Sequence, residues 1–205
     1  MNDGGRLFSH LGMTGEWVHV AIDAPEERFE RARIDVLRRR RSSSVRYIDT
    51  RRFGRLIAAR RDVPEWTSLG PDPIADGIDL NVLSKVFAEG RRPVKEILMD
   101  QHVLAGIGNI LATESLWIAR VDPRSLGRSL PPADVRAIAR GIRRTLRREL
   151  ARRRRHRTRA GDSFFVYGHA GEPCPRCGTQ LASITLGGRT TVLCRRCQVY
   201  RRQKR

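Results

Sequence analysis

The sequence predicts an α+β protein of several small domains: a β-rich start, a helical middle and a metal-binding hairpin at the end. Three observations predict this order. Short runs rich in valine, isoleucine and aromatics occupy the start, helical periodicity begins at Asn81, and all four cysteines lie in the last quarter. A chain of 205 residues can bury a sizeable core divided among such units.

The N-terminal part, residues 1–61, alternates β-like runs with chain breakers. Its runs are RLFSHLGMTGEWVHVAI, RARIDVL and SVRYIDTRRFGRLIAA, separated by glycine, serine or charged clusters. Residues 62–79 are dense in proline, glycine and aspartate, which is typical of a crossing between domains. We therefore expect a β-domain followed by an interdomain linker.

Residues 80–163 carry the helical signals. Val82, Val86 and Phe87 fit one helical face, a second helix is predicted from Val94 to Met99, and a third in ILATESLWIAR after the turn GIGN. Pro131-Pro132 opens an amphipathic helix with these apolar positions: Val135, Ile138, Ile142, Leu146 and Leu150. The arginine-rich run 152–161 has charge without periodicity and is predicted to be a mobile loop.

Residues 164–205 contain two C-x-x-C knuckles, Cys174/Cys177 and Cys194/Cys197, with sixteen residues between them. This spacing is that of a zinc ribbon, in which four thiolates complete a tetrahedron. Because the thiolates would fill every position on the metal, one structural Zn²⁺ is predicted and not a catalytic one. Two disulfides, or four unrelated thiols, are the alternative. The segment QLASITLGGRTTVL predicts a β-hairpin that turns at Gly187-Gly188.

The charge of the chain indicates a polyanionic partner. A formal net charge of +19 and a pI near 11.4 favour nucleic acid, with an anionic membrane surface as a distant second. No apolar run of about eighteen residues occurs, and the first residues lack the layout of a signal peptide. We expect no membrane association and a cytoplasmic, nucleoid-associated protein, and because nothing argues for an oligomer, a monomer.

Six strings occur in one order along the chain: SHLGMTGEW, DTRRFGRL, LGPDPI, ILMDQHVLAGIGNILATESL, VYGHAGEPCPRCG and TTVLCRRCQ. Together they resemble the formamidopyrimidine/endonuclease VIII family of bifunctional DNA glycosylases over nearly the whole chain. The resemblance implies a partial N-terminal β-sandwich, a helix-two-turn-helix domain and a C-terminal zinc finger that clamp damaged double-stranded DNA. It also implies excision of an oxidised base and cleavage at the abasic site.

The resemblance places Met13, Arg51 and Phe53 in the void that a flipped base leaves. A thioether, a planar cation and an aromatic ring suit that role. Taken alone, Met13 and Phe53 would more often be ordinary core residues.

The resemblance also implies phosphate contacts, by His10, Asn109, Tyr167 and Arg189, with Lys95 as a weaker candidate. Asn109 lies where a helix is predicted to begin, so a simple N-cap is its alternative role. Arg189 follows the hairpin turn, and taken alone it would be one solvated arginine among many.

No catalytic residue is identifiable in this chain. The family attacks the sugar with an N-terminal proline and uses a neighbouring glutamate as acid and base, whereas this chain starts Met-Asn-Asp-Gly. The available amines are those of Met1, Lys85, Lys95 and Lys204, since arginine forms no Schiff base. Catalytic residues encoded upstream, a truncated inactive gene, and a binding protein that has lost the chemistry all stay open. An RNA-binding zinc ribbon is a weaker alternative, because it explains neither GIGN nor DTRRFG.

The segment between Leu150 and Phe164 indicates which class of oxidised base the protein would prefer. Formamidopyrimidine-type members have there a longer loop that covers an oxidised purine, and RRRRHRTRAGDSFF has nothing similar. The short segment is more similar to the endonuclease VIII branch, which favours oxidised pyrimidines.

Overall fold

The computed structural model describes residues 4–37, 42–155 and 164–202. They divide into two compact units, Met1–Thr67 and Ser68–Arg205, here called the N-terminal and C-terminal units. The division falls within the breaker-rich segment 62–79. The predicted α+β architecture, with strands first, helices next and a hairpin last, is confirmed.

The N-terminal unit is formed by antiparallel strands and one short helix. β1 pairs with β5, while β4 is the central strand of a sheet ordered β2-β4-β3. Its most deeply buried side chains lie on or next to β4, and among them Arg46 donates to the backbone oxygens of Ala24 and Pro25. The elements are β1 (Arg6–His10), β2 (Glu16–Ala21), β3 (Glu30–Val36), β4 (Ser43–Ile48), β5 (Arg55–Ala59) and α1 (Pro64–Thr67).

The C-terminal unit joins a helical bundle to a β-hairpin finger. Its elements are α2 (Leu80–Glu89), α3 (Val94–Met99), α4 (Asn109–Ala119), α5 (Pro132–Arg155), β6 (Ala182–Leu186) and β7 (Arg189–Leu193). All four predicted helices and the predicted hairpin are therefore present. Asp79 caps α2, because its carboxylate accepts from the N–H groups of Asn81 and Val82.

The helical core lies between α2, α3, α4 and α5. α4 and α5 approach so closely that a Cβ on Gly141 would lie 2.4 Å from the carbonyl oxygen of Ser115, so this crossing requires glycine. The prediction that Val82 faces the core is wrong: Val82 is 53% exposed, and Leu83 is buried in its place. The largest fully buried side chains of the core are Phe87, Ile97, Leu98, Ile107, Leu116, Ile138 and Ile142.

α5 continues through Arg155, so the prediction that a loop begins at residue 152 is wrong for 152–155. Arginine has a high helix propensity, and a helix already nucleated by an apolar face propagates at little cost. The remainder of the predicted loop lies outside the described residues. No helix among the described residues combines the length and the apolar character needed to cross a bilayer.

The finger is attached to the helical bundle at both of its ends. Trp117 of α4 lies in the finger's own apolar cluster with Val166, Leu181 and Val192. At the other end, the buried Gln198 accepts from the N–H of Cys194 and donates to the carbonyl of Val121. The zinc-binding segment therefore packs on α4 as part of the C-terminal unit.

Candidate metal centre and nucleic-acid interface

The four cysteines form one cluster, in which all the sulfur atoms lie within 4.8 Å of one another. The Sγ atoms of Cys174 and Cys197 are 4.0 Å apart, and those of Cys177 and Cys194 are 3.5 Å apart. A tetrahedral Zn²⁺ with Zn–S bonds of about 2.3 Å needs sulfur separations of roughly 3.8 Å. The donor set therefore fits one structural zinc ion, and all four cysteines are free of disulfides.

Donors around the sulfurs favour the thiolate form that zinc requires. The N–H of Cys197 points at the Cys194 sulfur, 3.4 Å away. The buried indole Nε1 of Trp117 has no conventional partner among the described residues, but it interacts with the Cys174 sulfur. Such N–H groups orient and stabilise metal-bound thiolates.

A cluster of polar residues joins the finger to α3 and α4. The Nζ atom of Lys95, on α3, donates to Asn109 Oδ1 and Thr191 Oγ1, both at 2.5 Å. Asn109 in turn donates through Nδ2 to the carbonyl of Thr190, at 3.1 Å. Arg189, at the first position of β7, is exposed and lies close enough for its charge to act on Lys95. We call Lys95, Asn109 and Arg189 the anion cluster, after the anion that their positive charge would attract.

The anion cluster carries positive charge that the fold does not neutralise. The Lys95 side chain is fully buried, yet both of its acceptors are neutral, and no ion pair to it exists among the described residues. Burial, and then the charge of Arg189, lower the pKa of Lys95 to about 8, and Glu96 offsets this only in part. A buried ammonium without a carboxylate is costly, so the arrangement favours an anion at this surface.

Asn109 does not cap its own helix. It is the first residue of α4, and Gly108 occupies the N-cap position without a side-chain bond. The N-cap alternative is therefore wrong, since the Asn109 side chain joins Lys95 to the hairpin. The first N–H groups of α4 have no helical acceptor, and with the helix dipole they add to the attraction for an anion.

Tyr167 is held near the finger by a buried carboxylate. Glu114, on α4, is 2% exposed and accepts three backbone N–H bonds, from Phe165, Val166 and Tyr167, at 2.8–2.9 Å. The rings of Tyr167 and Phe164 are nearly perpendicular, with their centres 5.8 Å apart. Glu114 thus fixes the segment through which the chain enters the finger.

Met13, Arg51 and Phe53 lie on two loops of the N-terminal unit, and we call their side chains the plug. Met13 is 65% exposed and Phe53 52% exposed, which excludes the core interpretation of both. The guanidinium of Arg51 lies 4.8 Å from the centre of the Phe53 ring. The loops touch, because a Cβ on Gly12 would lie 2.6 Å from the backbone of Phe53.

Asp49 cross-links the two plug loops. Its carboxylate accepts from Thr14 Oγ1 at 2.6 Å, from the N–H of Gly54 at 2.8 Å and from the N–H of Arg51 at 3.2 Å. The bond from Thr14, followed by that from Gly54, holds the pKa of Asp49 below its ordinary value. Thr14 belongs to the Met13 loop, and Arg51 and Gly54 to the other.

Tyr47 packs beneath both loops and requires glycine on each. A Cβ on Gly15 would lie 2.1 Å from the Tyr47 hydroxyl, and a Cβ on Gly54 would lie 1.6 Å from it. Burial raises the pKa of Tyr47, and the negative charge of Asp49 raises it further. His10, the remaining predicted contact, is exposed at the end of β1, where its Nδ1 accepts from the N–H of Gly12 at 3.2 Å.

Asp49→Asn is expected to loosen both plug loops. The amide replaces one acceptor oxygen by a donor, which opposes one of the donors that now point at it. Hydrogen exchange at the Arg51 and Gly54 amides should become roughly tenfold faster, because a charge-assisted bond is lost. The exposed Asp23→Asn is the control, and equal exchange in both variants would contradict the cross-link.

The contribution of Asp49 to the stability of the folded state also depends on pH. Because the folded-state pKa is lowered, the stabilisation is fully present above the unfolded value of about 3.9. It is lost as pH falls through the folded-state pKa.

The sequence did not single out Asp49, Glu114, Trp117 or Thr191. Asp49 and Glu114 fall inside the strings DTRRFGRL and ILATESLW, and an acid within an apolar helix was an available signal for Glu114. No comparable signal marks Thr191, which is buried through contacts across the fold.

Comparisons with known proteins agree with this geometry. The formamidopyrimidine-DNA glycosylase N-terminal domain matches residues 1–56, and the formamidopyrimidine-DNA glycosylase H2TH domain matches residues 69–159. The zinc finger found in FPG and IleRS matches residues 171–199, which contain all four cysteines.

Individual relatives match almost the whole chain. A formamidopyrimidine-DNA glycosylase of Thermomicrobium roseum is 37% identical over 222 residues, covering 96% of this chain and 76% of the relative. That of Moorella thermoacetica is 39% identical, covering 87% and 69%. The structure of Lactococcus lactis Fpg with abasic site containing DNA is 27% identical, with a TM-score of 0.78 over 96% of this chain and 76% of that one. The same protein with N7-benzyl-Fapy-dG containing DNA gives a TM-score of 0.79 at 28% identity, over the same shares.

Proposed function

Because this chain belongs to the formamidopyrimidine-DNA glycosylase family, we propose that it binds damaged double-stranded DNA and acts in base excision with cleavage at the abasic site. We also propose a monomer, since one chain carries both the plug and the anion cluster. Its proposed location is the cytoplasm, in association with the nucleoid. We assign the zinc ion a structural role only.

The observation that carries the proposal is the exposed plug on two cross-linked loops. Taking a nucleotide out of the stack costs a few kcal/mol, and side chains that fill the void offset this cost. Met13 adapts to an irregular gap, Arg51 can bond the unpaired base, and Phe53 can stack. Since Arg51 already stacks on Phe53, less conformational entropy is lost on binding.

The anion cluster supports the proposal as a site for backbone phosphate. Arg189 is exposed and can reach a phosphate directly, while the free N–H groups of α4 add donors. Lys95 lies beneath them, so it supplies charge and holds Asn109 and the hairpin in place. Direct contact by Lys95 would require its side chain to become uncovered.

The chemistry of excision needs an amine to attack the sugar. The N-terminal unit, which carries the plug, contains no lysine. In the C-terminal unit, Lys85 is exposed on α2 and Lys95 is buried in the anion cluster. The other two candidate amines, those of Met1 and Lys204, lie outside the described residues. We assign the binding and positioning of a damaged duplex to the plug and the anion cluster, and a trapping experiment decides whether this chain also supplies the nucleophile.

The test compares binding to a duplex with an abasic analogue, to the intact duplex and to single-stranded RNA. We expect the abasic duplex to bind tightest, and Phe53→Ala to reduce that preference about tenfold, since stacking on a base contributes ~1–3 kcal/mol. Leu37→Ala, at another exposed apolar position, is the control.

Preference for intact duplex or for RNA would overturn the proposed binding. Borohydride trapping on a true abasic site tests the reaction separately. A trapped adduct supports catalysis, whereas abasic preference without an adduct leaves a damaged-DNA-binding protein.

The affinity for duplex should fall as pH rises through the pKa of Lys95, which is about 8. Below that pH the ammonium is charged and attracts phosphate, and above it the charge is lost. Because bound phosphate raises the pKa, affinity should fall by up to about tenfold per pH unit between the free and bound values.

Lys95→Met should lose this pH dependence and bind roughly tenfold more weakly at pH 7, since one charged interaction is missing. The exposed Lys85→Met should keep the wild-type pH profile. A Lys95→Met profile that parallels the wild type would exclude Lys95 as the titrating group.

A further inference from the structure

One face of α5 carries four exposed arginines. Since a helix turns by about 100° per residue, spacings of four, four and three place them in a single stripe. The stripe lies opposite the buried face that contains Ile138 and Ile142. We call these residues the arginine stripe: Arg136, Arg140, Arg144 and Arg147.

The stripe has no counter-charge in the described part of the chain. None of its four guanidinium groups makes an ion pair or hydrogen bond to a described residue. The acids of α5 are used elsewhere, since Asp134 pairs with Arg201 at 2.6 Å and Glu149 pairs with Arg152 at 2.6 Å.

Two neighbouring arginines of α5 have structural roles, because their side chains contact other parts of the fold. Arg143 donates to the carbonyl of Ile78 at 3.1 Å, and Arg148 lies 3.8 Å from the centre of the Phe165 ring. Within the described parts of the chain, the four members of the stripe have no such partner. Like charges three and four residues apart destabilise a helix, so the stripe opposes folding and indicates an external polyanion.

The geometry favours a nucleic-acid backbone over a membrane. A helix that lies on a bilayer inserts its apolar face, but Val135, Ile138 and Ile142 of α5 are at most 4% exposed and belong to the helical core. The twelve residues from Arg136 to Arg147 extend about 16 Å along the helix axis, which matches roughly five nucleotide steps of about 3.4 Å.

We propose that the arginine stripe is a second nucleic-acid contact, which holds the protein on undamaged duplex through backbone phosphates. It consists of residues other than the plug and the anion cluster, and it lies on the side of α5 away from α4, whose first residue is Asn109. Arginine contacts to phosphate carry no base information, so the stripe gives affinity without discrimination between lesions. This contact goes beyond the proposed function.

The test is the quadruple variant R136Q/R140Q/R144Q/R147Q on a long undamaged duplex over a series of salt concentrations. The log–log salt dependence should become shallower by about 3.6, at about 0.9 per lost contact. Its preference for an abasic analogue should persist, and its melting temperature should stay level or rise because repulsion is relieved. The matched control is R91Q/R128Q/R195Q/R202Q, with the same charge change at exposed positions off α5.

Equal changes in the two quadruple variants would overturn the proposal, because net charge and not a surface would then be responsible. So would an unchanged salt dependence, or a loss confined to binding of phosphatidylserine vesicles. If the wild type prefers the abasic duplex while the stripe variant keeps its salt dependence, only this inference fails. If the wild type lacks abasic preference but the stripe variant loses duplex affinity, the proposed function fails and the stripe stands.

Discussion

Cys194→Ser is expected to abolish stable zinc binding and to unfold the finger at residues 171–199. Cys194 is fully buried, and its sulfur lies 3.5 Å from that of Cys177 and accepts the N–H of Cys197. Zinc binding to such fingers supplies roughly 10–16 kcal/mol, which is folding free energy for a segment with a small core. Removing one thiolate opens the tetrahedron and loses most of it.

Zinc content per chain and tryptophan fluorescence measure this result. Trp117 is 5% exposed within the finger cluster, so its emission should shift to the red when the finger unfolds. Arg195→Ser, at the exposed neighbouring position, should retain one zinc ion and the wild-type emission. A chelator should reproduce the Cys194→Ser spectrum in the wild type, and added zinc should reverse it. Full zinc content in Cys194→Ser would contradict a four-thiolate site.

Glu114→Ala is expected to lower the free energy of unfolding of the C-terminal unit by about 4 kcal/mol. The Glu114 carboxylate accepts the N–H groups of three consecutive residues that start at Phe165, and it is 2% exposed. Alanine would leave those donors buried without acceptors. Glu114→Gln should cost less, because its amide keeps one acceptor oxygen.

Urea denaturation measures this effect, and Glu89→Ala, at an exposed position of α2, is its control, expected within about 0.5 kcal/mol of the wild type. Hydrogen exchange at the amides of Phe165, Val166 and Tyr167 should increase more than exchange in the helical core. A uniform increase would show that Glu114 supports the unit as a whole and does not fix this segment.

The sequence predicted the parts of the fold that depend on local pattern. The apolar spacing in Val94–Met99 and along α5 predicted both helices, because a helix repeats its buried positions every three to four residues. Gly187-Gly188 predicted the hairpin turn, and both residues adopt the positive φ that such a turn requires. The error at Val82 arose because one helical face was assigned from few residues.

The sequence predicted which residues belong to the candidate site, but it did not predict whether their side chains are buried or exposed. Met13, Arg51 and Phe53 were assigned from the strings that contain them, but the pattern alone favoured burial for two of them. Their exposure follows from the support beneath, where Tyr47 and Asp49 hold the loops. None of these contacts is visible as a periodicity.

By itself the sequence determined the family, the order of domains and the zinc ligands, because each depends on spacing along the chain. Only the tertiary structure decided which polar residues are buried and what they hold. Asp49 meets Thr14 across 35 positions, Glu114 meets Val166 across 52, and Lys95 meets Thr191 across 96. Such pairs form when distant segments pack, and the desolvation that sets their energies and pKa values exists only once they have done so.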